Sequence, residues 1–213
     1  MNPALAMKSS QRALLSMVLV WTLGILVSGR NPYDRGTWLM EVLPCLALLP
    51  ILWGTRKRFV FTPLVYRLMT LHGLILMLGG AYTYARVPLG FWMQDWFDLT
   101  RNNYDKIGHF AQGFVPAFVV RELLWRVYGL NAQRLLAVLT VSVCLAISAF
   151  YELIEWWAAL ALGTGADEFL GTQGYVWDTQ SDMLLALIGA LAALLLARWH
   201  DRAMQTITDR NRT

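Results

Sequence analysis

The chain has 213 residues, of which 57% are hydrophobic and only 15% charged, with ten tryptophans and a mean hydropathy of +0.44. Soluble domains carry about a quarter charged residues, so this composition excludes an ordinary soluble protein and points to a polytopic membrane protein; at roughly 20 residues per spanning helix the length allows about five to seven spans in one domain. The net charge of +4 is not a nucleic-acid signal, because the basic residues sit at the ends of apolar segments, where they set topology.

In chain order, a short basic start (Lys8, Arg12) leads into an apolar run over 13–28. No small-x-small cleavage site precedes Arg30, so a retained first helix is expected rather than a secretory signal. NPYDRG at 31–36 reads as a turn, and the second span is predicted over 38–53, with Glu41 in its first turn and two prolines, Pro44 and Pro50. A basic turn, TRKRF, precedes a third span over 62–84 that holds Arg67 near its start and His72 near its middle. The long connection to Asn103 contains FWMQDWFDL, which reads as a short helix lying at the membrane surface, since tryptophans favour the headgroup level. A fourth span follows over 104–128 and a fifth over 135–162; a glycine-rich polar connection, GTGADEFLGTQGYVWDT, leads to a sixth over 180–199. Gly189, Ala192 and Ala193 in that last span suit close helix packing. Cys45 and Cys144 lie in apolar runs without metal-ligand spacing and read as packed and reduced.

Six spans put both termini on one side. Thirteen of the eighteen basic residues would lie there and five opposite, which makes the termini cytoplasmic. The acidic residues run the other way: only Glu122, Asp201 and Asp209 of fourteen share the side of the termini. Topology does not demand that bias, because acidic residues contribute little to orientation. A functional outer surface is the simplest cause.

The chemistry concentrates at three helix ends. Asp105 and His109 are four apart, Glu152 and Glu155 three apart, and Asp178 and Asp182 four apart, so each pair shares a helix face. In the six-span arrangement all six fall in one layer ~10 Å deep at ~1.5 Å per residue. Carboxylates crowded in low dielectric repel one another, and persist only if protonated, paired with cations or holding a metal. Three functional readings follow. His109 with Glu152, Glu155 and Asp182 holds a divalent metal such as zinc, manganese, magnesium or iron, which activates water; the same groups act as metal-free general acid and base; or the cluster recognises a head group or relays protons. Against these stands a purely structural polar network locking three helices. Arg101 and Lys106 are the nearby counter-charges, and Gln112, Trp156, Gln173 and Tyr175 are candidate substrate contacts. Glu41 and Asp34 start the second span on the same side and are equally readable as cluster members or caps, His72 would extend a proton path, and Arg121–Glu122 reads as an interfacial pair with snorkelling.

RNNYDKIGHFAQGF, FYELIEWW and GTQGYVWDTQSDM, in this order, resemble the YjdF-like bacterial inner-membrane proteins, a family without an established function. More distantly, DKIGHF, YELIEW and WDTQSDM are similar to the VanZ-like pattern over the fourth to sixth helices. The resemblance implies a shared intramembrane polar site at Asp105, His109, Glu152, Glu155, Asp178 and Asp182, and no particular activity. The expectation is an all-α bundle of six transmembrane helices in the bacterial inner membrane with an outward-facing acidic site. Its leading function is an envelope enzyme acting on a lipid head group or lipid-linked substrate, with or without a metal; the alternative is a non-enzymatic protein that binds an envelope component or carries a small solute or proton. Membrane lipids are the expected partners, and the oligomeric state is open.

Overall fold

A computed structural model describes residues 3–162 and 173–208, and among these every regular element is helical: α1 (Pro3–Gly29), α2 (Arg35–Thr55), α3 (Pro63–Tyr82), α4 (Pro88–Phe97), α5 (Tyr104–Arg126), α6 (Gln133–Leu162), α7 (Asp178–Leu195) and α8 (Ala197–Thr208). The first part of the glycine-rich connection, 163–172, lies outside the described residues.

Local chemistry sets several boundaries. Asp34 caps α2 by accepting hydrogen bonds from the Thr37 backbone N–H at 2.7 Å and its hydroxyl at 2.9 Å. Those two bonds hold the Asp34 carboxyl below the usual carboxylate range. Pro63 and Pro88 open α3 and α4 in the first turn, where a missing N–H costs nothing. α4 is the expected short helix of the connection, and its Trp92, Trp96 and Phe97 are exposed. The last span ends earlier than expected. α7 stops at Leu195 and a new amphipathic helix starts at Ala197, which takes the last residues of the expected span and buries His200 and Met204.

Among the described residues, five helices are long and apolar enough to cross a membrane: Met7–Gly29 of α1, α2, α3, Gln133–Ala161 of α6, and α7. α5 is as long as these but falls short in apolarity, with Asp105, Lys106, His109, Gln112, Arg121 and Glu122 along it. It is packed against α7, α6, α3 and α8. Its polar groups therefore meet protein rather than lipid, the condition under which ionisable side chains are tolerated at membrane depth.

The α5–α7 contact is the most extensive in the bundle, and glycine makes it possible. A methyl placed on Gly113 would collide with the carbonyl oxygen of Ala186, and one on Gly189 with that of Phe110. The backbones approach as closely as small residues permit. Gly113→Ala is expected to push the helices apart and lower stability by about 1–3 kcal/mol, the usual cost of overpacking. A thermal transition in detergent equal to wild type would show that the contact is looser than this.

The basic end is tied by a second polar network. Arg121 and Glu122 are only 4% and 0% exposed, and they do not pair with each other as the interfacial reading expected. Consecutive helix residues point about 100° apart at 3.6 residues per turn, so they meet different neighbours. Arg121 donates to both carboxylate oxygens of Asp201 on α8 at 2.8 Å and to Gln133 at 2.6 Å. Glu122 accepts from the Thr62 N–H at 3.0 Å and the Thr62 hydroxyl at 3.1 Å, lies 3.2 Å from His200 Nε2, and pairs with Arg126.

Candidate functional site

At the opposite, acidic end, the connection into α5 is built first. Asn102 is buried; its side-chain amide donates to the Val87 carbonyl at 3.0 Å and its oxygen accepts from the Tyr104 N–H at 3.1 Å. Gln173 reaches it from the chain before α7 and exchanges two hydrogen bonds with the Asn102 backbone, at 2.8 and 3.3 Å. Gln173, a candidate substrate contact in the sequence, thus joins the two connections. Tyr175 lies under the Arg101 guanidinium at 4.8 Å, a cation–π contact.

Lys106 is the hub of the charges. Its ammonium lies 2.6 Å from Asp182, 2.9 Å from Asp178, 2.8 Å from the Ser181 hydroxyl and 3.3 Å from Asp105. Arg101 adds a 2.6 Å bond to Asp178 and lies 3.7 Å from Asp105. Asp105, Asp178 and Asp182 offer oxygens close enough together for a cation, but the ammonium of Lys106 already fills that role.

One turn further along α5, the imidazole of His109 stands between two carboxylates. Nε2 is 3.7 Å from Asp182 and Nδ1 is 3.9 Å from Glu152. Nδ1 also lies 3.0 Å from the Gln112 amide oxygen. With the proton on Nδ1 the ring donates to that oxygen and turns Nε2 toward Asp182; with the proton on Nε2 it points at the carboxylate instead. Glu152 takes a hydrogen bond from Thr179 and keeps one buried oxygen, Oε1, without a hydrogen bond. Ligand atoms of His109, Glu152 and Asp182 all lie within 4.8 Å of one another, a spacing that admits a divalent ion. Glu155, also named for a metal in the sequence, is not in this group.

His109, Gln112, Asp105, Asp178, Asp182 and Glu155 line a cavity of about 590 Å³. The cavity also takes Glu41 from α2 and His72 from α3, which the sequence left undecided, and Tyr84 and Tyr151, which it did not single out. Tyr151 donates to Glu41 at 2.9 Å, and Tyr84 bonds the same carboxylate. Tyr151 was findable: it lies inside FYELIEWW, four residues before Glu155 and so on the same helix face. Nothing in the local pattern marked Tyr84, which follows the end of α3 and packs on Gly79 and Gly108. Trp156 is 55% exposed and is not among the lining residues, the placement of a lipid-facing anchor. His72 keeps a buried Nε2 without a hydrogen-bond partner.

The profile of DUF2238, a family described as predicted membrane protein, matches residues 13–202. The chain is similar to the inner membrane protein YjdF of Escherichia coli (strain K12), with 53% identity over 193 residues that make up 90% of this chain and 92% of that protein. Neither likeness bears on the VanZ-like pattern. No solved structure matches the chain.

Proposed function

This chain belongs to the DUF2238 family of predicted membrane proteins, and we propose that it is an integral inner-membrane enzyme acting from the outer side on a lipid head group or lipid-linked substrate. The observation that carries this reading is the position of His109, between Glu152 and Asp182 and lining a cavity whose one end is acidic. The positive-inside bias of the basic residues supports an outward acidic end. An imidazole with a free Nε2 beside a buried carboxylate is a general acid–base pair. The same three side chains would hold a divalent ion through Nε2 and two carboxylate oxygens, and that ion would polarise an ester or phosphoryl oxygen or activate water. Gln112 would then play the part that outer hydrogen bonds play for metal-bound imidazoles, setting ring orientation. Lys106 and Arg101 hold Asp105 and Asp178 in place around it.

A second reading, passage of a proton or small solute, draws on His72, whose unpartnered Nε2 lies on the wall of the same cavity near the middle of α3. Metal analysis of purified protein separates the branches. About one zinc, manganese or iron per chain is expected in the wild type, and its loss in His109→Ala and in Asp182→Asn, with unchanged elution and thermal transition. A wild-type protein without metal after purification in metal-supplemented buffer removes the metal-assisted branch.

A further inference from the structure

The basic end of the bundle holds a second cavity, of about 890 Å³, which contains none of the residues grouped around His109. Its charged wall is made of four cations: Arg56, Lys57 and Arg58, consecutive after α2, and Arg126 in the last turn of α5. Among the described residues no aspartate or glutamate lines it. Charge at a helix end is an ordinary topology signal and by itself asks for no ligand. Arg126 does ask for one. Its side chain is only 7% exposed, and its Nη1 is engaged by Glu122 and by the Val60 carbonyl at 2.8 Å, with the Phe59 ring at 4.4 Å. Its Nε and Nη2 have no acceptor among the described residues, yet neither nitrogen is fully closed off. Buried donors without an acceptor are costly, and the cavity is where an acceptor would come from. Arg56 is also fixed: it bonds the Trp53 carbonyl and lies over the Trp53 ring at 3.9 Å. Lys57 and Arg58 are exposed, and their side chains have no partner among the described residues.

We propose that this cavity holds the head group of one acidic glycerophospholipid from the leaflet at the basic end, the cytoplasmic leaflet under the positive-inside rule. The charges select the head group. A phosphodiester offers the oxygens that guanidinium donors take up. Glu122 neutralises Arg126, which leaves Arg56, Lys57 and Arg58 without a carboxylate among the described residues. Three uncompensated cations attract a head group of net negative charge and repel the ammonium of a zwitterionic one. The rest of the wall selects a lipid over a soluble anion. Leu14 and Leu15 belong to the part of α1 that is apolar enough to cross a membrane, and Trp53 closes α2 beside them. Leu15, Trp53 and Val127 are 53%, 43% and 55% exposed, so the cavity is continuous with the surface that acyl chains cover. A free phosphate would leave that surface uncovered. Among the described residues α5 makes at most marginal contact with α1 and α2, so a lipid seated here bridges helices that barely touch. The inference is independent of the reading of His109.

Native mass spectrometry of the full chain in detergent tests this, with phosphatidylglycerol and phosphatidylcholine of identical acyl chains as probes and the first bound copy as the readout. Phosphatidylglycerol is expected to bind the wild type at least tenfold more tightly than phosphatidylcholine. Lys57→Gln combined with Arg58→Gln is expected to weaken that first copy at least tenfold. Arg12→Gln combined with Arg67→Gln removes two exposed charges from the same end but outside the cavity, and should leave it within about twofold of wild type. Millimolar inorganic phosphate is expected to leave the lipid in place. Equal affinity for the two lipids would overturn the proposal, as would equal losses in the two double variants, which would reduce the effect to diffuse surface charge. Release of the lipid by inorganic phosphate would overturn it too, in favour of a soluble anion. The comparison of the two lipids on wild-type protein decides the matter even if the Lys57 and Arg58 double variant fails to fold.

Discussion

Glu122→Ala is expected to produce the largest loss of stability of any single change in the bundle. Glu122 is fully buried, and its carboxylate is the common acceptor for the Thr62 N–H, the Thr62 hydroxyl and Arg126, with His200 Nε2 3.2 Å away. Removing it leaves the buried Thr62 backbone N–H without its acceptor and takes the carboxylate from Arg126, whose guanidinium keeps only the Val60 carbonyl at 2.8 Å and the Phe59 ring among the contacts described. Breaking a buried ion pair from one side costs about 3–5 kcal/mol, against a total of roughly 5–15 for a domain. The lesion falls where the start of α3, the end of α5 and α8 meet, so it should release α8 as well as lower the midpoint of unfolding. Glu122→Gln keeps the shape and an acceptor oxygen while losing the charge opposite Arg126, and should fall between alanine and wild type. Thermal unfolding in detergent, with proteolysis of α8 as a local readout, measures both. A wild-type transition for the alanine variant would mean that the network is ornamental.

Lys106→Met is the second. Methionine keeps most of the apolar stem and deletes the ammonium that bridges Asp178 and Asp182 and contacts Asp105. Arg101 still neutralises Asp178 at 2.6 Å, so the expected loss is about 2–3 kcal/mol, below the full cost of orphaning a buried charge. The distinguishing result lies in the double variant. Lys106→Met with Asp182→Asn removes the charge left uncompensated and should recover a large part of that loss, although Asp182→Asn also touches the candidate metal group. Additive losses in the double variant would show that Lys106 acts through packing instead of charge. The same pair bears on function: if the single variant keeps its fold and loses metal, then Lys106 positions Asp182 for His109.

Much of this site was legible along the chain because ionisable residues in apolar helices are costly and so conspicuous. The spacings Asp105–His109 and Asp178–Asp182 put each pair on one helix face, and the structure brings those faces together at Lys106 and His109. The distant parts were not legible. Glu41 is 110 residues from Tyr151, its hydrogen-bond donor, and nothing local to either marks the other. Arg121 and Glu122, adjacent in sequence, look like a pair and are not one, since Arg121 is taken by Asp201 on α8 while Glu122 meets Arg126 one turn along α5 and Thr62 just before α3.

Composition, the length of the apolar runs and the turn residues determined by themselves that the chain is a helical membrane protein, where its apolar runs lie and which of their ends carry charge, but not that α1 reaches back to Pro3 or that a further helix follows Leu195. Those properties depend on neighbours within a few residues and on the solvent. Only the tertiary structure decided which carboxylates Lys106 takes, that α5 can carry its polar stripe because other helices cover it, and that a largely apolar cavity runs on from the acidic end. Those depend on how closely backbones approach at Gly113 and Gly189 and on the gap left between α2 and α5, quantities set by packing across the whole bundle.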